Sequence, residues 1–441
     1  MFVFKYFYRN IFFFVFKKCI IIDDWSDAMK IENIKHLKEL KTINSFLKPA
    51  KVFIPLVSQN DKNITLLVKK GDYVFKGSII GKSKGNLRIP ILSSVSGTVV
   101  GFSEHTYLNG EKVKCVEIEN DYKETLEKKV GIKRILNKYT KEEFTQLLIN
   151  CGVVGSYSGY PTYLKYEKRF STLIVNAVSD EPYVTCDRAL IKDKCEEILE
   201  AIDATMDICD IEQCYIAVKI DDYDIKKIIN NYIGTYLKIK IAEVPNDYPM
   251  GWERNLIKNI KSIKQKNGVV VNNVSTMYSI YEVLKFNRPL VQRIITVSGD
   301  AVNKPQNIIV KNGTLAKEVI DYIGGLKKCK EIKFIAGGPM MGKSLPSDDL
   351  VITPNLKSIL VLKGTDKNVS YECIMCGKCV NACPAKLSPA VIMKNINNKK
   401  VLEKLSVNKC IECGICSYIC PSKINVRKYV EDSKKIVGGK K

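Results

Sequence analysis

The sequence predicts a multidomain α/β protein in which a β-rich module, an alternating α/β domain, a smaller α+β piece and a cysteine-rich tail follow one another. Three observations carry this. At 441 residues, 46% of them hydrophobic, the chain exceeds what one core usually supports, and two to four domains are expected. Short alternating strands precede a region where helical and buried-strand patterns take turns. Near the carboxyl end, CIMCGKCVNACP nearly repeats itself as CIECGICSYICP.

The opening MFVFKYFYRNIFFFVFKKCIII holds seven of the fifteen Phe. Lys5, Arg9, Lys17 and Lys18 interrupt it, so no run reaches the roughly 20 apolar residues of a spanning helix. No small-residue cleavage site precedes Asp23-Asp24, which argues against a signal peptide. An interfacial anchor, a disordered extension, or translation beginning at Met29 remain, the last favoured; residues 1–45 are set apart as an extension. No other segment reads as transmembrane, so any membrane role is peripheral.

Residues 46–125 contain KVFIPLV, ITLLVKKGDYVFKGSIIGKS, IPILSSVSGTVVGFS and VKCVEIEN, alternating apolar stretches bounded by turn residues. Gly71-Asp72 supplies a hairpin turn, Gly77 a close crossing and Gly97 a second tight turn. The pattern resembles the barrel-sandwich hammerhead of biotinyl and lipoyl domains. Ser94-Val95-Ser96-Gly97 stands where those domains carry their cofactor lysine, so a structural or docking module is expected.

From 130 to 284, KEEFTQLLINCGVV reads as an amphipathic helix running into glycine, STLIVNAV and QCYIAVKI as buried strands, and DYDIKKIINNYI as a helix between strands. Such alternation predicts a mainly parallel sheet. A smaller α+β piece follows over 285–345, ending in GGPMMG, and the linker KGTDKNVS leads into a tail over 364–432.

The formal charge of +23 is a weak guide to partners, because lysine is spread over every segment. No interleaved basic and aromatic surface supports nucleic-acid binding. Sixteen cysteines in a chain this large, half of them in two motifs, point to a reducing compartment rather than a disulfide scaffold. Cys19, Cys115, Cys151, Cys186, Cys195, Cys209, Cys214 and Cys329 are scattered and read as small buried hydrophobes or free thiols.

The remaining eight form C-x2-C-x2-C-x3-C-P twice, the two-cluster ferredoxin pattern, in which the fourth cysteine of each run ligates the other cluster. The expected ligands are Cys373, Cys376, Cys379 and Cys420 for one [4Fe-4S] cluster and Cys383, Cys410, Cys413 and Cys416 for the other. Gly377 and Gly414 relieve the tight loops, the fourth cysteine is expected on the helix that follows, and Pro384 and Pro421 end each ligand loop. Zinc ribbons use paired C-x2-C knuckles and do not require this double run. Two closed cubanes mean electron transfer.

An electron donor site is sought in the α/β domain. In CGVVGSYSGYPTYLKY, a helix runs into Gly152, Gly155 and Gly159 with Lys165 behind them, an arrangement in which backbone N–H groups and a cation can approach a phosphate. Taken alone, ordinary turns explain such glycines as well. SSVSGTV, the loop ending YPTYLK, NAVSDEPYVTCDRALI, VPNDYPMGWERNLI, GVVVNNVSTMYSIYEVL, RIITVSGDAV, FIAGGPMMG and both cysteine runs through CPSKI occur in one order. Together they resemble the RnfC family, the C subunits of the Rnf complex, a membrane-associated ferredoxin:NAD oxidoreductase that couples electron transfer to ion pumping. That family is similar to the flavin-bearing 51-kDa subunit of respiratory complex I.

The resemblance implies an FMN/NADH-type α/β domain, a soluble-ligand-binding β-grasp (SLBB) piece and a two-cluster ferredoxin domain. It implies that Gly152, Gly155, Gly159 and Lys165 lie along the flavin phosphate and ribityl chain, that Asn176 and Glu181 line the flavin pocket, and that Asn272, Asn273 and Thr276 hold its phosphate end. NAD(H) is the implied substrate, integral membrane and ferredoxin-like subunits the implied partners, and the cytoplasmic face of the membrane the implied location; no residue is expected to act as a catalyst apart from the cofactors. The loop departs from the family form by carrying Ser156, Tyr157 and Ser158 in its middle, where Tyr157 would crowd a flavin. A soluble Rnf-C-like carrier serving an amino-acid reductase in the cytoplasm, or a ferredoxin adaptor with a degenerate nucleotide domain, are the alternatives.

Overall fold

The structure is a computed structural model and describes residues 43–57, 63–85, 89–127, 130–263, 268–364 and 369–438. Residues 1–42 of the expected N-terminal extension lie outside the described residues, as do 365–368 of the linker. The described residues divide into two compact units between Val369 and Ser370.

The first unit opens with strand β1 (Ile43–Phe46), followed by β2 (Lys51–Pro55), β3 (Ile64–Leu66), β4 (Tyr73–Val74), β5 (Ile79–Ser83), β6 (Pro90–Leu92), β7 (Gly97–Thr106) and β8 (Lys112–Asn120). Strands β2-β8-β7-β4 form one sheet and β3-β5-β6 another, closing over Val52, Ile80, Val99 and Ile118 as a barrel-sandwich module. Gly97 is required there by close approach, since a Cβ would stand 1.9 Å from the Glu119 carbonyl oxygen.

Helix α1 (Lys141–Asn150) starts with a capping box: Thr140 Oγ1 accepts from Glu143 N at 3.2 Å while Glu143 Oε2 accepts from Thr140 N at 2.8 Å. Then β9 (Thr172–Asn176), α2 (Cys186–Cys209), β10 (Gln213–Lys219), α3 (Tyr223–Ile233), β11 (Ile239–Val244), α4 (Glu253–Asn259), β12 (Val269–Asn273) and α5 (Val274–Phe286) alternate. The four strands are parallel in the order β11-β10-β9-β12. Leu173 and Val175 face a core built with α1, α2 and α5, whereas Ile174 faces a second core with Met250 and Leu256. Burial on both faces is why these strands read as unbroken apolar runs.

Strands β13 (Gln292–Ser298) and β14 (Gln306–Lys311), helix α6 (Ala316–Tyr322), and strands β15 (Ile332–Ala336), β16 (Lys343–Leu345) and β17 (Ser358–Lys363) complete the unit. Their sheet, in the order β1-β14-β13-β17-β15-β16, is larger than the 285–345 segment marked out from the sequence. β17 lies between β13 and β15, and β1 pairs in parallel with β14, Ile43 opposite Asn307. Without β17 the β13-β14 and β15-β16 pairs do not meet, and without β1 the β14 edge stays unpaired.

The second unit holds α7 (Lys378–Asn381), α8 (Pro389–Lys394), α9 (Lys399–Lys404), α10 (Ile415–Tyr418) and α11 (Val426–Val437). Helices α7 and α10 are equivalents, each entered through a left-handed glycine, Gly377 at φ 76° and Gly414 at φ 81°. One expectation is corrected here. The third cysteine of each run, Cys379 or Cys416, lies on the one-turn helix, while Cys383 and Cys420 follow its end, because the residue before a proline is pushed out of helical conformation. Among the described residues no helix is long and apolar enough to cross a membrane.

Gly299 joins β13 to the sheet centre at φ 119°, and a Cβ there would stand 1.9 Å from the Val361 carbonyl oxygen. Gly299→Ala is expected to destabilise the protein by roughly 3 kcal/mol through strain and displacement of β17, read as a lowered melting temperature or denaturant midpoint.

Candidate functional site

In the parallel sheet the chain moves from β9 out to β10 and β11, then returns to the other side of β9 as β12. The carboxyl ends of β9 and β12 therefore flank a topological switch point, where loops diverge and leave a crevice. Asn176 ends β9, Asn273 ends β12, and the two are register partners. Asn176 Nδ2 donates to Asn273 Oδ1 at 3.2 Å and to the Gly251 carbonyl at 2.7 Å, while its Oδ1 accepts from Val178 N at 3.0 Å.

The glycine loop closes onto this point. Gly155 N donates to Tyr160 O and Gly159 N to Gly155 O, both at 2.8 Å, and Gly152 turns the chain out of α1 at φ 65°. Ser156, buried at the loop centre, donates its N–H to Thr276 Oγ1 at 3.3 Å, and Asn273 Nδ2 donates to Ser156 Oγ at 3.1 Å. The loop is thus seated on the first turn of α5. Tyr157 is turned toward Lys357, whose Nζ lies 5.9 Å from the ring centroid.

Lys165 donates to the Val271 carbonyl and, at 3.4 Å, to Asn272 Oδ1. Burial pushes this ammonium below its ordinary value, and Glu253 partly offsets the shift. Asn272 is itself buried and donates to the Tyr166 hydroxyl. A desolvated cation whose hydrogen bonds, among the described residues, go to neutral acceptors is suited to meet an anion.

Asp180 and Lys219 extend the set beyond the residues expected. Lys219 Nζ lies 3.1 Å from Asp180 Oδ1, and Gly251 N donates to the other carboxylate oxygen. Burial pushes the Asp180 carboxyl up against the opposing pull of Lys219 and Gly251. A signal was present in the sequence: Lys219 ends an otherwise apolar strand at its carboxyl edge. Thr162 Oγ1, Asn246 Oδ1 and Ser275 Oγ are buried without a hydrogen-bond partner; they lie in the glycine loop's exit, beyond the end of β11 and in the first turn of α5. Unsatisfied hydroxyl and amide oxygens and a buried cation on segments at this end of the sheet fit a ligand carrying hydroxyls and a phosphate.

Glu181 is used otherwise. Its Oε2 accepts from Met340 N at 3.0 Å and its Oε1 from Met341 N at 2.7 Å, so it grips the GGPMMG turn of the neighbouring sheet. A Cβ on Gly338 would stand 2.4 Å from Glu181 Oε2, which accounts for a glycine there. The rest of this connection is stitched to the same sheet: Ser298 Oγ donates to Tyr183 O at 2.8 Å, Thr185 N to Thr296 Oγ1 at 3.0 Å, and Lys357 pairs with Asp187.

In the tail, Cys383 lies near enough to Cys410, Cys413 and Cys416 for their thiols to interact electrostatically. Cys379 does the same with Cys373 and Cys376. Cys373, Cys379 and Cys420 share one apolar cluster, which Cys416 also joins, and Cys383 and Cys410 share another. Burial pushes Cys413 up to about 11 and Cys416 up to about 12. Leu387 N donates to Cys383 Sγ at 3.3 Å and Glu412 N to Cys410 Sγ at 3.4 Å. Among the described residues no three His, Cys, Asp or Glu side chains converge on a single ion; the thiolates of a cubane bind separate irons. Thiols gathered in two adjoining neighbourhoods, with Cys416 touching both, suit a pair of such clusters.

Comparison with known proteins places these features in a family. Residues 24–123 match the RnfC barrel sandwich hybrid domain, 148–282 the Nuo51 FMN-binding domain, 294–344 the SLBB domain and 372–425 a 4Fe-4S dicluster domain. The C subunit of the Na(+)-translocating ferredoxin:NAD(+) oxidoreductase complex of Acetobacterium woodii is 31% identical over 356 residues, covering 78% of this chain and 80% of that one. The C subunit of the proton-translocating ferredoxin:NAD(+) oxidoreductase complex of Clostridium ljungdahlii is 31% identical over 359 residues, 78% of each chain. The C subunit of the ion-translocating oxidoreductase complex of Rhodobacter capsulatus is 30% identical over 377 residues, 81% of this chain and 72% of that one. Among solved structures, an NAD+-reducing [NiFe]-hydrogenase in the H2-reduced state aligns with 70% of this chain and 64% of its own at 14% identity and a TM-score of 0.47.

Removing the Glu181 grip tests whether it fixes the crevice from outside. Glu181→Ala is expected to speed amide exchange in residues 337–342 and along 176–187, measured by hydrogen–deuterium exchange. Gly338→Ala should reproduce the effect by displacing the carboxylate, at a stability cost of about 1–3 kcal/mol.

Proposed function

The chain belongs to the RnfC family, the C subunits of Rnf complexes, and from that premise we propose that it carries electrons between NAD(H) and the other redox subunits of an ion-translocating membrane complex, using one FMN and two [4Fe-4S] clusters. The observation that carries the reading is the exchange of Cys383 into the neighbourhood of Cys410, Cys413 and Cys416. That exchange suits one cross-wired electron path and gives two independent metal sites no purpose.

Flavin supplies, when bound, the conversion between the two electrons of a hydride and the single electrons that clusters carry. The chain's own contribution is binding and orientation. Lys165 and the first turn of α5, with Ser275 and Thr276, would hold the phosphate; charge, hydroxyl donors and a helix N-terminus all favour an anion there. Gly152, Gly155 and Gly159 keep the loop compact, so its backbone rather than side chains borders the ligand. Asn272 keeps Lys165 directed inward, and Asn176 and Asn273 would offer amides to the ribityl chain once their mutual bond opens. Glu181 acts at one remove, through the GGPMMG turn.

Cys373, Cys376, Cys379 and Cys420 would hold one cluster and Cys383, Cys410, Cys413 and Cys416 the other. The partners are the membrane and ferredoxin-like subunits of such a complex, with the chain attached peripherally on the cytoplasmic face.

Anaerobic purification with iron, sulfide and flavin quantified tests the whole reading. About eight irons and one FMN per chain are expected, with NADH bleaching the cluster absorbance near ~400 nm; iron well below that level in folded, anaerobic protein would refute the two-cubane assignment. Lys165→Met should weaken flavin retention by about 10- to 100-fold, the loss of one charge-assisted bond. Cys420→Ala should remove the cluster of the first motif and leave that of its own, distinguished by electron paramagnetic resonance.

A further inference from the structure

The barrel-sandwich module holds a second set of chemistry-bearing side chains, which includes none of the flavin or cluster residues. Ser103 and His105 stand two residues apart on β7, so both project from the same face of its sheet. Ser103 Oγ and His105 Nε2 are 3.1 Å apart. His105 Nδ1 lies 2.6 Å from Asp349 Oδ1, on the segment that precedes β17. That segment is tied to β7 by Thr106 N donating to Asp349 O and Val351 N to Thr106 O, both at 3.0 Å. Asp349 also pairs with Lys112, and Thr106 Oγ1 approaches its Oδ2 at 3.4 Å. Burial opposes the charge, but His105 and Lys112 together hold the Asp349 carboxyl below its ordinary value. An ionised Asp349 accepts from Nδ1–H and thereby fixes the tautomer whose Nε2 is a free base facing the Ser103 hydroxyl. Phe53 packs on the imidazole with 4.3 Å between ring centroids.

We propose that Ser103, His105 and Asp349 form a nucleophile, base and orienting carboxylate that cleave small acyl esters, an activity separate from electron transfer and not resting on it. The geometric conditions are met: a hydroxyl within reach of a base, and the base within reach of a carboxylate. Room for an acyl group lies beside the hydroxyl, because Gly101, next on the same face, has nothing within 4 Å of where a Cβ would stand. Cys115 lies opposite Ser103 and Glu117 opposite Gly101. Neither competes as nucleophile: burial pushes the Cys115 thiol up to about 12, and Glu117 is paired with Lys51 at 2.7 Å. Ser103 Oγ bonds to the carbonyl carbon as His105 Nε2 takes its proton, and the alcohol leaves with that proton. Water, deprotonated by the same nitrogen, then breaks the Ser103 ester and restores the hydroxyl, so one ester and one water give one alcohol and one acid. Strand N–H groups lie in the plane of the sheet and cannot meet an oxyanion above its face. The substrates are therefore esters whose leaving group is already acidic, aryl esters among them.

The test uses the full chain with its clusters and two probes: a fluorophosphonate, which traps an activated serine as fluoride leaves, and p-nitrophenyl acetate. Peptide mass spectrometry is expected to find the phosphonyl group on Ser103, and the acetate ester to be hydrolysed with release of p-nitrophenolate. Ser103→Ala should abolish both while leaving iron content and NADH-dependent bleaching as in the wild type. His105→Gln and Asp349→Asn should slow labelling by about 100-fold or more. Asp349 acts through the imidazole, so Asp349→Asn should also change its tautomer, which nitrogen NMR reads directly in a chain with two His. Absence of the label from Ser103 in the wild type would overturn the proposal, even with other serines labelled. So would an unchanged labelling rate in His105→Gln, which would mean a hydroxyl reacting without its base, or ester hydrolysis that survives Ser103→Ala. The wild-type label and Ser103→Ala decide the matter even where the His105 and Asp349 variants fail to fold.

Discussion

The first unit depends on a single topological constraint: the parallel sheet reverses its growth beside β9. Two strand ends, Asn176 and Asn273, are thereby placed side by side in register. Polar side chains of the domain gather around them, since the faces of the sheet are closed by apolar cores. The glycine loop closes onto one side through Ser156, Lys165 reaches in from behind, and Asp180 and Lys219 border the other. Three of the buried oxygens without partners, on Thr162, Asn246 and Ser275, lie on segments at this end of the sheet, where unsatisfied groups are costly unless a ligand meets them.

The neighbouring sheet turns that edge into a fixed shape. The segment from Glu181 to Asp187 bonds repeatedly to β13, the GGPMMG turn and Lys357, and the glycine loop meets Lys357 through Tyr157. Both borders of the crevice are consequently held by one β-grasp layer. Such support from outside is how a site built on loops acquires the rigidity of a site built on strands. Tyr157, which by its size alone would crowd a flavin, is accommodated by being turned outward onto that layer.

The cysteine framework and the alternation of the α/β domain were legible because their signals are local. Ligand spacing and a run of apolar residues need no knowledge of distant partners. Gly152, Gly155, Gly159, Lys165, Asn272, Asn273 and Thr276 were found through motif order, and they do gather at one edge. Glu181 was read as a lining residue through the family resemblance, and its hydrogen-bond partners, about 160 residues away, are revealed only by tertiary packing. The same limit hid the extent of the β-grasp sheet, whose central β17 and edge β1 come from outside the segment that its turns delimit.

The tail shows how symmetry of sequence differs from symmetry of environment. Its two loops share spacing, left-handed glycines and exit prolines, and backbone N–H groups reach sulfur in both sets, from Leu387 to Cys383, from Glu412 to Cys410 and from Ala390 to Cys379, yet the ammonium of Lys434 lies beside the second loop. Such bonds and such a charge stabilise the more negative, reduced form of a cluster, while burial of the same thiols opposes it. The first set has the exposed apolar loop instead; the start of α11 touches it through Val426, packed with Cys373, Cys379 and Cys420, while Lys434 turns to the second loop. Two nearly identical ligand loops therefore have unlike surroundings, set by where α11 packs: Lys434 fastens the second through Glu412 and the Cys410 carbonyl, and leaves Ile374 and Met375 of the first exposed.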